Sequence, residues 1–125
     1  MEGYEYPTAR QLKVFRKWYI DNWKLDVSIK ELIDYIKSLW WMSDWGFKLY
    51  KSRSHISKKQ IMILRLDTGG WSGNESIIGE LKKTFFWDLY WQKSIRGGHY
   101  WFEIPWQIWI KSSVKSPPLI LISKL

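Results

Sequence analysis

Placed at about 100° per residue, Leu12, Phe15, Trp18, Tyr19 and Asn22 fall on one side of the first patterned stretch, while Arg10, Lys13, Lys17 and Lys24 gather on the other. That spacing predicts an amphipathic helix capped by Thr8 and running to about residue 22, with a basic stripe on its outer face. Ser28-Ile29-Lys30-Glu31 has the capping-box spacing, in which a hydroxyl and a carboxylate satisfy amides at a helix start. Leu32, Ile33, Tyr35, Ile36, Leu39 and Trp40 then give a second helix a broad apolar face, expected to end near Met42 at the turn Ser43-Asp44-Trp45-Gly46. The period changes at Phe47-Lys48-Leu49-Tyr50-Lys51, which alternates as a half-buried strand does. Residues 52–59 are polar and basic, and residues 60–66 return as a more apolar strand. An antiparallel hairpin with a charged loop follows from that order.

Ser72-Gly73-Asn74-Glu75 repeats the capping-box pattern and starts a third helix through Ile77, Ile78, Leu81, Phe85, Trp87 and Leu89 toward Trp91. Gly79 lowers helix propensity there by up to about 1 kcal/mol relative to alanine, which a close approach by another backbone would explain. Beyond Gly97-Gly98 the chain alternates again, with Tyr100, Phe102 and Ile104 opposite His99, Trp101 and Glu103. Pro105 ends that strand or marks a sheet edge. Residues 106–110 form a short apolar run. Ser116-Pro117-Pro118 interrupts the chain, and residues 119–122 suit an edge strand. The order is α-α-β-β-α-β with a strand-like tail. The expected class is α+β, three helices packed on a small, mainly antiparallel sheet. With no repeat and no linker, residues 1–125 are expected to form a single domain.

Hydrophobic residues make up 46% of the chain and charged ones 26%, so its eleven tryptophans are the unusual feature. Each buried indole removes a large apolar area from water, and most of these rings are expected in the core. A formal charge of +8 implies affinity for anions, whether nucleic acid, nucleotides or acidic protein surfaces. The chain has no cysteine, which excludes a disulfide framework and thiolate zinc sites, and His55 and His99 are too far apart to pair on a helix. The acidic start Met1-Glu2-Gly3-Tyr4-Glu5 lacks an apolar signal core, and no stretch approaches the roughly 20 apolar residues of a membrane span. A cytoplasmic protein without membrane contact is the expectation. No cofactor or metal is implied.

Candidate chemistry concentrates in two turns. Thr68-Gly69-Gly70-Trp71-Ser72-Gly73-Asn74 joins a strand to a helix, and Arg96-Gly97-Gly98-His99-Tyr100 opens the next strand. A glycine-rich turn at a helix N-terminus aims amides and a helix dipole at one volume, which favours an anion. The expected ligand site therefore comprises Gly69, Gly70, Trp71, Ser72, Gly73, Asn74 and Glu75, with Arg96, Gly97, Gly98, His99 and Tyr100 from the second turn. Trp71 would stack on a base, Glu75 would accept from a ribose hydroxyl or base amine, and Arg96 and His99 would neutralise phosphate. The same residues also suit a tight structural turn leading to a well-capped helix. Neither the Walker pattern nor G-x-G-x-x-G is present. About 20 helical residues would separate the turns by about 30 Å, so a shared pocket needs the Arg96 turn to fold back or a second copy of the chain to supply it, as in a homo-oligomer. His99 with Glu75, Glu103 or Asp88 would give an acid–base pair, but no spacing singles one out, and the chain reads as a binding protein rather than an enzyme.

The motifs at residues 68–75 and 96–100, with Phe102-Glu103-Ile104-Pro105 after them, resemble a group of small phage and prophage proteins across roughly residues 60–105. The resemblance implies an origin in a phage or mobile element, where small basic proteins act against host defences. Three functions are then expected in order. The first is capture of a phosphorylated small molecule, a nucleotide signal, at the glycine-rich loop. The second is inhibition by docking on a host defence protein or complex. The third is nucleic-acid binding through Arg10, Lys13, Lys17, Lys24 and the basic loop at residues 51–59.

Overall fold

Four antiparallel strands in the order β1-β2-β4-β3 organise the computed structural model, which describes residues 6–19 and 29–113. They are β1 (Phe47–Arg53), β2 (Gln60–Asp67), β3 (Trp91–Ile95) and β4 (His99–Pro105). Register follows the two-residue period read from the sequence. Leu49 faces Leu64, and Leu64 faces Phe102, so Met62, Leu64, Leu66, Phe102 and Ile104 all point to one side. That side carries the core, where Phe15, Ile29, Leu32, Ile36, Ile77, Leu81 and Phe86 are fully buried against the strands. The architecture is α+β with helices on a small antiparallel sheet.

Helix α1 (Ala9–Lys13) begins where expected. Thr8 Oγ1 accepts from the Gln11 amide at 3.1 Å while Gln11 Oε1 accepts from the Thr8 amide at 2.9 Å, a complete capping box. It does not run to residue 22. A 3-10 turn, Val14–Trp18, takes over and places the buried Phe15 and Trp18 three apart on one ridge. Arg10, Lys13 and Lys17 are exposed as the stripe requires, whereas Asn22, Lys24 and the Ser28 cap lie outside the described residues. Helix α2 (Ile29–Leu39) buries Ile29, Leu32, Ile33 and Ile36 and stops short of Met42, which adopts a left-handed conformation at φ 58. The next residues form a single helical turn, α3 (Ser43–Gly46). Gly46 is required there because a Cβ would overlap the Asp67 carbonyl.

The stretch expected as one helix from Glu75 to Trp91 is two helices and a strand. Helix α4 (Ser72–Leu81) and α5 (Phe85–Tyr90) are separated by Thr84. Its hydroxyl donates to the Leu81 carbonyl at 2.7 Å and accepts from the Trp87 amide at 3.3 Å, closing one helix and capping the next. The break lets Leu81, Phe85 and Phe86 all enter the core, which one straight helix would not allow. Leu89, expected on the apolar face, is 56% exposed. The capping box at Ser72 does not form: Trp71 occupies the cap, no side chain bonds back, and Ser72 is already helical. Nothing lies within 4 Å of a Cβ built at Gly79, so close backbone approach does not account for that glycine. After α5 the chain pairs as β3 against β4, making Arg96-Gly97-Gly98 the tip of a hairpin. The apolar run after Pro105 forms helix α6 (Trp106–Ser113), and the strand-like tail at residues 116–122 lies outside the described residues. Among the described residues no helix is long and apolar enough to cross a membrane.

Candidate functional site

The pairing of β2 with β4 settles how the two glycine turns stand to each other. Asp67 ends β2 opposite His99, the first residue of β4. The turns therefore meet, at the end of one sheet rather than at opposite ends of one helix, and within one chain. The Thr68 amide donates to the Gly98 carbonyl at 2.9 Å, and a Cβ at Gly98 (φ 84) would overlap Thr68 Oγ1. Glycine at 98 is thus imposed by a neighbouring side chain as well as by backbone conformation.

Much of the first turn's polarity is engaged within the protein. The Gly70 amide donates to Thr68 Oγ1 at 3.2 Å, and the Trp71 amide to the Thr68 carbonyl at 3.2 Å. Asn74, fully buried, donates through Nδ2 to the carbonyls of Thr68 and Trp41, and its Oδ1 accepts from the Trp41 amide at 2.9 Å. The Trp71 ring lies 2.5 Å from where a Gly69 Cβ would stand and packs edge-on against Trp41, 3.9 Å between centroids, and Trp45. Ser72, Gly73 and Asn74 supply the first three amides of α4, which have no helical carbonyl four residues back. Glu75 lies close enough to Tyr100 that its charge joins burial, the larger cause, in raising the Tyr100 phenol above 10.0. Tyr100 itself points to the helix side of the sheet, edge-on to Trp87. Arg96 is exposed at the hairpin tip.

His99 finds a partner that spacing did not reveal. Its Nδ1 donates to Asp67 Oδ1 at 2.6 Å, and Arg65 Nε donates to the same oxygen at 3.1 Å. The Asp67 side chain is only 4% exposed, against 33% for both donors. A buried acceptor-only carboxylate fixes the ring and leaves Nε2 on the outer side, beside Gly97, as a hydrogen-bonding group toward solvent. Glu75, Glu103 and Asp88 do not take that role.

The face of the sheet turned away from the helices carries Lys48, Tyr50, Ile63, Arg65, Lys93, His99, Trp101 and Glu103. One row crosses all four strands: Lys48 opposite Arg65, Arg65 opposite Trp101, Trp101 opposite Lys93. The Arg65 guanidinium is 4.7 Å and the Lys93 ammonium 4.5 Å from the Trp101 ring centroid. Because β2 and β3 flank β4, the two cations reach that ring from opposite neighbours, and both are attracted to the indole. Tyr50, in the next row, is 42% exposed. Lys48, Asp67, Lys93 and Trp101 were not singled out from the sequence. Lys48 and Trp101 were visible as the polar and outward members of alternating strands, but Lys93 fell beyond a stretch assigned to helix.

Comparison with family models, with curated proteins and with solved structures gave no match for this chain.

Proposed function

We propose that the protein binds single-stranded nucleic acid across the open face of its sheet, with the phosphates on the row Lys48, Arg65 and Lys93 and the hairpin residues Arg96 and His99 at one end. One observation carries this reading: three cations and a tryptophan share a single cross-strand row on a face that, among the described residues, no helix covers. Like charges set directly opposite, as Lys48 and Arg65 are, destabilise a sheet unless an anion lies between them. The exposed Tyr50 and the half-buried Ile63 beside the row supply the flat and apolar contacts that unpaired bases need. The overall charge of +8 adds long-range attraction.

Fluorescence anisotropy with labelled oligonucleotides over a salt series tests the proposal. Three phosphate contacts give a log–log salt slope of about −2 for a single strand. A folded protein that ignores oligonucleotides, or binds them with no salt dependence, would refute it. A second reading, capture of a phosphorylated small molecule, is favoured by the meeting of the turns, in which the Thr68 amide donates to the Gly98 carbonyl and joins the Arg96 hairpin to the loop that leads into α4. Calorimetry against mono-, di- and cyclic nucleotides separates it from the first, because that mode saturates with one small ligand and is untouched by Lys48→Ala. The likeness to small phage proteins fits either ligand.

A further inference from the structure

At the other end of the open face, where β4 turns into α6, lies a solvent-open cleft of about 540 Å³. That volume lies within the range of small-ligand sites. Its walls include Lys59, Gln60, Gln92, Glu103 and Gln107, together with the Trp106 ring. These five side chains come from four segments, the β1–β2 loop, β2, β3 and the β4–α6 corner, and the loop adds Ser54 and Ser57, whose hydroxyls already accept from loop amides. None of the five has a hydrogen-bond or ion-pair partner among the described residues. Protein side chains engage Asp67, the other carboxylate of this face, from two directions, yet Glu103 is half-buried and stands alone. Lys59, Gln92 and Gln107 are exposed and hydrated, while Gln60 and Glu103 are half-buried, so all five are free to exchange water for a polar guest. Glu103 lies two residues beyond Trp101 on the same side of β4, about 7 Å along the strand. The cleft therefore lies to one side of the cationic row, within reach of a base whose phosphate rests on that row.

We infer that this cleft receives one base of a bound strand and that Glu103 selects guanine, an assignment that rests on the single-strand reading above. A carboxylate only accepts hydrogen bonds, so it favours a base edge that presents donors. Guanine offers two side by side, N1–H and the exocyclic N2–H. Adenine and cytosine offer one amine beside an acceptor, and thymine and uracil offer one N–H between two acceptors. The glutamine amides present both donors and acceptors to the remaining edge atoms, and the Lys59 ammonium suits the guanine O6. Trp106, whose ring already carries the Lys51 ammonium at 4.8 Å, forms a flat wall.

The test uses the full chain and labelled thymidine tracts that are uniform or carry a single central dG, dA or dC, with the corresponding uridine tracts, read by fluorescence anisotropy. The expected result is about tenfold tighter binding of the guanine-bearing tract, in DNA or RNA, over its adenine counterpart. Glu103→Gln should erase that preference while affinity for the uniform tract rises, because a negative charge near the phosphates is removed, and Gln107→Ala should reduce the preference. Equal binding of all tracts would overturn the guanine site and leave the strand-binding proposal standing. A preference that survives Glu103→Gln would overturn the assignment to this cleft. Failure of the wild-type protein to bind any tract would overturn both proposals.

Discussion

The contact between Thr68 and Gly98 can be weighed by comparing two glycines that differ in one respect. Gly70 and Gly98 both have positive φ, 76 and 84, so alanine at either meets the left-handed penalty of about 1–2 kcal/mol. Reduced freedom of the unfolded chain returns about 0.4–1 kcal/mol of that at a compatible site. Nothing lies within 4 Å of a Cβ at Gly70, whereas at Gly98 it would overlap Thr68 Oγ1. Moving Thr68 aside strains two bonds, from the Gly70 amide to its hydroxyl and from its own amide to the Gly98 carbonyl, each worth about 0.5–1.5 kcal/mol. Gly70→Ala should therefore cost about 1 kcal/mol and Gly98→Ala about 3 kcal/mol, with each kcal/mol lowering the thermal midpoint by about 3–5 °C. In a Thr68→Ala background the Gly98→Ala penalty should fall toward that of Gly70→Ala, a coupling of about 1–2 kcal/mol in the double-mutant cycle. Urea unfolding followed by tryptophan fluorescence measures all of these. If Gly98→Ala is no worse than Gly70→Ala, the clasp between the two turns does not exist as described.

Other consequences follow from the same structure. Asp67→Ala removes a buried acceptor from His99 and Arg65 and should cost about 2 kcal/mol, discounted for the part-exposed donors, while Asp67→Asn should cost less; denaturant midpoints decide. Lys48→Ala should weaken oligonucleotide binding and make the salt slope shallower by about 0.7. Trp101→Ala should weaken binding through loss of the brace on Arg65 and Lys93 yet leave the slope unchanged, and a slope that shifts with it would contradict the brace. Burial raises the phenols of Tyr35 and Tyr100 above 10.0, so the native state holds those protons more tightly than the unfolded chain. Their contribution is complete below pH 10.0 and is lost as pH rises through the folded values. Phenolate absorbance should show one tyrosine titrating earlier in Glu75→Gln, because the second cause of the Tyr100 shift is gone.

What the sequence disclosed depended on the range of the determining contact. The alternation from Phe47 to Lys51 and from His99 to Ile104 sorted each strand's residues onto the correct faces, since a strand's period is set locally. The Thr8 cap was equally legible, needing only Gln11 three residues on. Thr84 shows the opposite case. Its hydroxyl divides a stretch whose apolar spacing fits one continuous helix, and the division wins because it buries Phe85 and sets Phe86 against Phe102 of β4, a distant part of the chain. Misreading that stretch hid β3, and with β3 the Lys93 end of the row. The glycine turns were found as turns, but their meeting required knowing that β2 pairs with β4. The partner of His99 was invisible for the same reason, being 32 residues away and brought across by strand register.

The two faces of the sheet divide the molecule's work, and electrostatics explains why the outer one tolerates its arrangement. Opposed side chains on neighbouring strands stand about 5 Å apart at Cβ. Two unit charges at about 5 Å would repel by about 1 kcal/mol in water and about 3 kcal/mol at the effective dielectric of a protein surface, an upper bound here because the long Lys48 and Arg65 stems let their charges splay apart. Lys48 against Arg65 is therefore an affordable penalty while the face is open to solvent and salt, and Asp67 lessens it by holding the Arg65 Nε. Lys93 reaches no carboxylate among the described residues and leans on Trp101 instead, an interaction that keeps its charge available. A phosphate placed over the row meets two cations, Arg65 and Lys93, already held against an indole, so those two lose little side-chain freedom on binding. The helix side gains nothing from such a row: its strand positions are Leu64, Leu66, Phe102 and Ile104, each fully buried, and their packing fixes the register that lines up Lys48, Arg65, Trp101 and Lys93 across it. A one-residue slip of β4 against β2 would turn Trp101 into the core and Phe102 to solvent. The core thus enforces the row, and disrupting core packing at Phe102 should abolish strand binding before any cation is removed.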